Sequence, residues 1–111
     1  MGGKKAGPRV SRKARSDLAE LAAYYGGESL DLELVFISAV ERMFDTIAAS
    51  PQIGAKREYI HPLLNSLRFW RVPQFPNILV FYREQDGVIE IVRLLHSSRD
   101  LDSLLHANGE E

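Results

Sequence analysis

Three histidines and a set of arginines are the side chains with chemistry to offer in this 111-residue chain. Cutting a phosphodiester without a metal needs a general base, a general acid and cations to meet the charge that builds on the phosphoryl oxygens. The candidates are His61 and His96, with Lys56, Arg57, Arg68, Arg71, Arg83, Arg93 and Arg99. The densest group closes the segment "VIEIVRLLHSSRDL" (88–101), where an apolar run ends in Arg93, His96, Ser97, Ser98, Arg99 and Asp100. Other chemistries find no footing. There is no Gly-x-Ser-x-Gly nucleophile turn, no glycine-rich phosphate loop and no metal-ligand spacing. His61, His96 and His106 are scattered, and the chain has no cysteine, hence neither disulfide nor thiolate. No cofactor and no metal is expected.

Each candidate also has a plain structural reading. His96 and the serines after it can cap a following helix, and Asp100 in that helix's first turn complements its dipole. Period-two alternation puts Ile89, Ile91, Arg93 and Leu95 on one face of a strand, and Val88, Glu90, Val92, Leu94 and His96 on the other. If the first face meets the core, Arg93 is a partly buried cation that needs a partner. Arg68 and Trp70 share a strand face. An arginine beside an exposed aromatic is a recognition pair; the alternative is a core tryptophan with the arginine stem laid along the surface.

The elements that must position these groups follow from spacing. "RKARSDLAELAAYYGG" predicts a helix, with Ala14, Leu18, Leu21, Ala22 and Tyr25 on one face and left-handed glycine closing it. Ser29 is the expected N-cap of a second helix over 30–49, striped by Leu32, Phe36, Val40, Met43, Phe44 and Ile47 and stopped by Pro51. The two-glycine link predicts an antiparallel hairpin. Residues 51–65 have no clean period and read as a loop. Strands are expected at 66–72, 78–84 and 88–96, with "PQFPN" and "QDG" as connections, and "PRVS" (8–11) as a possible edge strand. "SSRDLDSLLH" predicts a short terminal helix. The fold class is therefore α+β: an N-terminal antiparallel helical hairpin packed on a three- to four-stranded antiparallel sheet, with a short C-terminal helix.

Length fits one domain, expected over 9–106, with a flexible basic lead-in at 1–8 and a frayed tail at 107–111. The net charge of -1 conceals segregation: residues 1–15 hold six Lys/Arg and no acid, whereas 84–111 hold seven acids and two arginines. Such asymmetry suits an anionic partner, and a solvated surface is the simpler account. The basic N-terminus has no apolar h-region and no stretch is long enough to span a membrane, so a cytoplasmic location is expected, with no membrane partner. The second helix is apolar beyond one stripe. Leu34, Val35 and Ile37 lie off the core line, near Tyr24 and Tyr25, and predict a docking surface for an amphipathic partner helix.

Four stretches, in order, carry a resemblance. "SRKARSDLAELAAYY", "SPQIG" (50–54), "SLRFWRVPQFPNILVFYR" and "GVIEIVRLLHSSRDL" together resemble the RelE/ParE superfamily of toxins from bacterial type II toxin–antitoxin modules. The resemblance spans about Arg9 to Leu105. It implies helices packed on a twisted antiparallel sheet, and a ParD-like antitoxin whose C-terminal segment wraps the toxin. Operator DNA would then be contacted only through that antitoxin. RelE-like members cut mRNA on the ribosome and ParE-like members poison DNA gyrase. This sequence has no tyrosine after Tyr82 and one lysine in its central section, and its "HSSRDL" ending is similar to the ParE branch. The expected activity is gyrase inhibition by binding, without a catalytic site of its own. Target-binding candidates are Arg68, Trp70, Arg93, His96 and Arg99. Antitoxin-binding candidates are Tyr24, Tyr25, Leu34, Val35 and Ile37. The alternatives are a ribosome-dependent mRNA endonuclease using His96 with Arg68 and Arg93, and a non-toxic co-repressor that binds antitoxin.

Overall fold

The computed structural model describes residues 7–56 and 67–97. In chain order the elements are β1 (Arg9–Val10), α1 (Arg12–Gly26), α2 (Leu30–Ala49), β2 (Ala55–Lys56), β3 (Arg68–Val72), β4 (Phe75–Gln85) and β5 (Val88–His96). Both helices fall where their apolar spacing places them. Ser29 caps α2, its Oγ accepting the Leu32 N–H at 2.9 Å. Gly27 closes α1 in the right-handed region (φ -63°), its N–H donating to the Ala23 and Tyr24 carbonyls, so the expected left-handed cap is replaced by an ordinary tightened last turn.

The sheet corrects the expectation of three or four antiparallel strands. It has five, in the order β1-β5-β4-β3-β2, and it is mixed, because β1 runs parallel to β5. The short β2, within the expected loop, pairs antiparallel with β3 through Ala55↔Phe69 and Lys56↔Arg68. Two-residue strands carry too little pattern for period-two reading. The β3–β4 connection is also tighter than "PQFPN" suggests. Val72 pairs with Phe75 across a turn in which Gln74 takes φ 75°, and the ladder slips beyond it, so Pro76 sits where no regular pairing demands an N–H. The expected terminal helix, with Arg57, His61, Arg99, Asp100 and His106, lies outside the described residues.

Both helices pack on one face of the sheet. Ala14, Leu21 and Ala22 of α1 and Phe36, Val40, Met43 and Ile47 of α2 meet Val72, Ile78, Val80, Tyr82, Ile91 and Leu94. Tyr25, Phe36 and Phe75 form an aromatic trio at its centre, with ring centroids 4.8 to 5.0 Å apart, inside the range where ring pairs add to area burial. The opposite face holds a smaller buried cluster of Leu67, Leu79, Phe81 and Leu95.

A bulge in β5 overturns the simple alternation. Phe81 pairs with Arg93 but Tyr82 pairs with Ile91, which leaves Val92 as an extra residue on β5. The phase therefore flips. Leu94 joins Ile89 and Ile91 in the helix-covered core, and Leu95 turns to the opposite cluster.

Candidate functional site

The turn "SPQIG" is held down by two side chains of the central strands. Tyr82, fully buried on β4, donates its hydroxyl to the Pro51 carbonyl at 2.7 Å and accepts the Gly54 N–H at 2.8 Å. Arg68, directly opposite Tyr82 on β3, donates Nη1 to the Gly54 carbonyl at 2.8 Å. Glycine is required at 54, because a Cβ there would stand 2.5 Å from the Tyr82 hydroxyl and 2.9 Å from the Phe69 carbonyl. Burial pushes the Tyr82 phenol up, while the hydrogen bond from Gly54 and the charge of Arg68 act in the other direction. A cleft of about 190 Å³ opens beside this clamp, lined by Pro51, Lys56, Arg68, Tyr82, Arg83 and Glu84. Arg83 is already paired with Glu90 at 2.9 Å.

The second arrangement closes the outer edge of β5. β1 pairs only with Glu90 and Ile91, so the backbone of β5 beyond them needs other partners. The start of α1 supplies them. Ser11 N–H donates to the Ile91 carbonyl at 3.0 Å and its hydroxyl donates to the Val92 carbonyl at 2.9 Å, while the same oxygen caps α1 by accepting the Ala14 N–H. Asp17, one turn on, accepts the Leu94 N–H at 3.0 Å. It also takes Arg93 in a two-pronged ion pair, with Nε at 2.7 Å and Nη2 at 3.1 Å. The partner that a partly buried Arg93 demanded is therefore Asp17.

The target-binding candidates that fall among the described residues, Arg68, Trp70, Arg93 and His96, do not converge. Arg68, Trp70 and His96 all lie on the helix-covered face, because they pair with Tyr82, Val80 and Ile78 of that core. Arg68 and His96 are nonetheless two strands and four residues of β4 apart, on the order of 15 Å by strand geometry. Arg93 pairs with Phe81 on the other face. Trp70 is 39% exposed, beside the core rather than in it. Among the described residues no three His, Asp or Glu side chains come together as metal ligands.

The apolar surface of the hairpin is more coherent. Tyr24 (56% exposed), Leu34 (55%) and Val35 are open to solvent, as expected. Tyr25 and Ile37 are instead half-buried against the core. Leu30, at 66%, is the most exposed large apolar side chain of the hairpin and was missed. Its spacing of four from Leu34 is the signal that would have found it.

No helix among the described residues is long and apolar enough to cross a membrane. No curated protein matches the chain. The family model described as "ParE toxin of type II toxin-antitoxin system, parDE" matches residues 9–101, from β1 through β5 and beyond. That span takes in the SPQIG turn with its Tyr82–Arg68 clamp and the Asp17–Arg93 edge closure, and it carries the conclusion that this chain belongs to the ParE toxin family of type II toxin–antitoxin systems.

Proposed function

We propose that this toxin acts by binding, that its target is DNA gyrase, and that a ParD-like antitoxin neutralises it. Membership of the ParE family implies an antitoxin partner; the gyrase target follows from the resemblance of the "HSSRDL" ending to the ParE branch. The observation that carries the reading is what the strand arginines are doing. Arg68 is bonded to the Gly54 carbonyl and Arg93 is clasped by Asp17. Withdrawing either cation to a scissile phosphate would release a turn or a sheet edge, so the groups on which RNA cleavage would depend are committed to the fold.

Antitoxin recognition falls on the outer hairpin. Tyr24, Leu30, Leu34 and Val35 offer exposed apolar area on rigid helices, the kind of surface that takes the apolar face of an amphipathic segment. Tyr25 and Ile37 support that surface from below.

Short-pulse expression without antitoxin, followed by labelled thymidine and labelled methionine incorporation, tests the activity. DNA synthesis stopping first is the expected result. Protein synthesis stopping first would replace this reading with ribosome-dependent mRNA cleavage, and neither stopping would leave an antitoxin-binding co-repressor.

A further inference from the structure

Four cations stand together where β1 passes into α1. Arg9, Arg12, Lys13 and Arg15 are all exposed. Their backbone is not a tail: Arg9 is fixed in the parallel ladder opposite Glu90, and the other three form the first turn of α1. The acids nearest them are engaged or distant. Asp17 holds Arg93, Glu90 holds Arg83, and Glu20 lies two helical turns beyond Lys13. Among the described residues none of the four cations forms an ion pair, and their one side-chain hydrogen bond runs from Arg15 Nε to the Val10 carbonyl at 3.3 Å.

This placement costs stability. The first turn of α1 contains no acid, and three cations there oppose the helix dipole, whereas α2 begins favourably with Asp31 and Glu33. The side chains, rather than the helix end, form the patch, since Ser11 already accepts the Ala14 and Arg15 N–H groups. Elsewhere among the described residues exposed acids outnumber the exposed cations Arg42, Lys56, Arg71 and Arg83, so this run of four cations within seven residues is where a polyanion would be drawn. A local rule broken without a compensating contact points to an external partner.

We infer that Arg9, Arg12, Lys13 and Arg15 form a contact surface for the phosphate backbone of duplex DNA, made by the toxin itself rather than through its antitoxin. Two features select duplex nucleic acid. Residues 7–23 contain no aromatic side chain on which unpaired bases could stack. None of the exposed large apolar side chains belongs to β1 or the first turns of α1, so nothing there would enter a lipid surface. The inference does not depend on the gyrase reading, and each can fail alone.

The test is fluorescence anisotropy of the full chain with a labelled 30-base-pair duplex between 50 and 200 mM salt. Four phosphate contacts lower the wild-type affinity on the order of 100-fold over that range. Arg12→Glu/Lys13→Glu removes two contacts, so binding at 50 mM weakens at least about tenfold and the log–log salt slope falls by about 2. The same change adds acids at the positive end of α1, so the thermal midpoint does not fall; a merely structural role predicts that it does. Arg12→Gln/Lys13→Gln repeats the measurement without charge reversal. Unchanged duplex affinity in folded variants overturns the inference. So does tighter binding to a single strand of equal length, or binding to phosphatidylserine vesicles without binding to the duplex.

Discussion

Asp17 on α1 and Arg93 on β5 are joined by a two-pronged ion pair, and the same carboxylate accepts the N–H of Leu94, the next residue along the strand. One side chain thus pairs a partly buried cation and satisfies the edge backbone where β1 no longer covers it. The helical hairpin is fastened to the sheet at this point by polar contacts as well as by its apolar face.

Asp17→Ala should therefore destabilise the fold by about 2–3 kcal/mol, between the cost of breaking a surface pair and that of breaking a fully buried one. The Asp17→Ala/Arg93→Ala double variant should cost less than the sum of the two single changes, because the two residues act as a unit. A double-mutant cycle read by urea unfolding checks this. Additive single effects would show that Asp17 works through Leu94 alone.

Tyr82→Phe deletes the two hydrogen bonds that the phenol makes to the SPQIG turn and leaves the Pro51 carbonyl and Gly54 N–H without that partner. The expected loss is about 1–3 kcal/mol. Gly54→Ala drives a methyl against the Tyr82 hydroxyl and should cost a similar amount, about 1–3 kcal/mol. In the double variant the clash with the hydroxyl is removed, so the effects should be less than additive, as thermal unfolding of the four proteins would reveal.

The same phenol sets an alkaline limit. Its folded pKa is raised above the ordinary value of 10.0, mainly by burial. The sign follows: the stability it contributes is fully present below pH 10.0 and is lost as pH rises through the higher folded value. Denaturant unfolding from about pH 9 to 11 should show a decline that is shallower in Tyr82→Phe than in wild type. Equal slopes would assign the decline to other groups.

Leu34→Glu and Ile37→Glu should behave differently although both lie off the main apolar stripe. Leu34 is exposed, so its variant should keep the wild-type melting temperature and lose antitoxin affinity by tenfold or more, about 1.4 kcal/mol. Ile37 packs on the core and its variant should lose stability first. Calorimetric titration with antitoxin, alongside thermal melts, separates the two. Unchanged affinity in Leu34→Glu would move the antitoxin to another face.

The helices were legible in the sequence because a 3.6-residue period repeated over four or more turns outweighs local irregularities, and Ser29 and Pro51 mark their limits. The two-residue strands β1 and β2 could not be read with the same force, since they owe their existence to the long strands they pair with. The bulge at Val92 was invisible for a related reason. An inserted residue leaves composition unchanged and alters only which neighbour each side chain meets, so Leu94 and Leu95 exchanged faces.

What the sequence by itself determined was the pair of amphipathic helices, the long hairpin of β4 and β5, and the resemblance that the family match later supported over residues 9–101. What only the tertiary structure decided was the use made of each polar side chain. Arg68 and Arg93 read equally well as ligand-binding cations or as braces, because a sequence shows that a charge is present and not which carbonyl or carboxylate lies within 3 Å of it. Gly54 and Asp17 became those partners by contacts between residues distant in the chain, and such contacts exist only once the chain has folded.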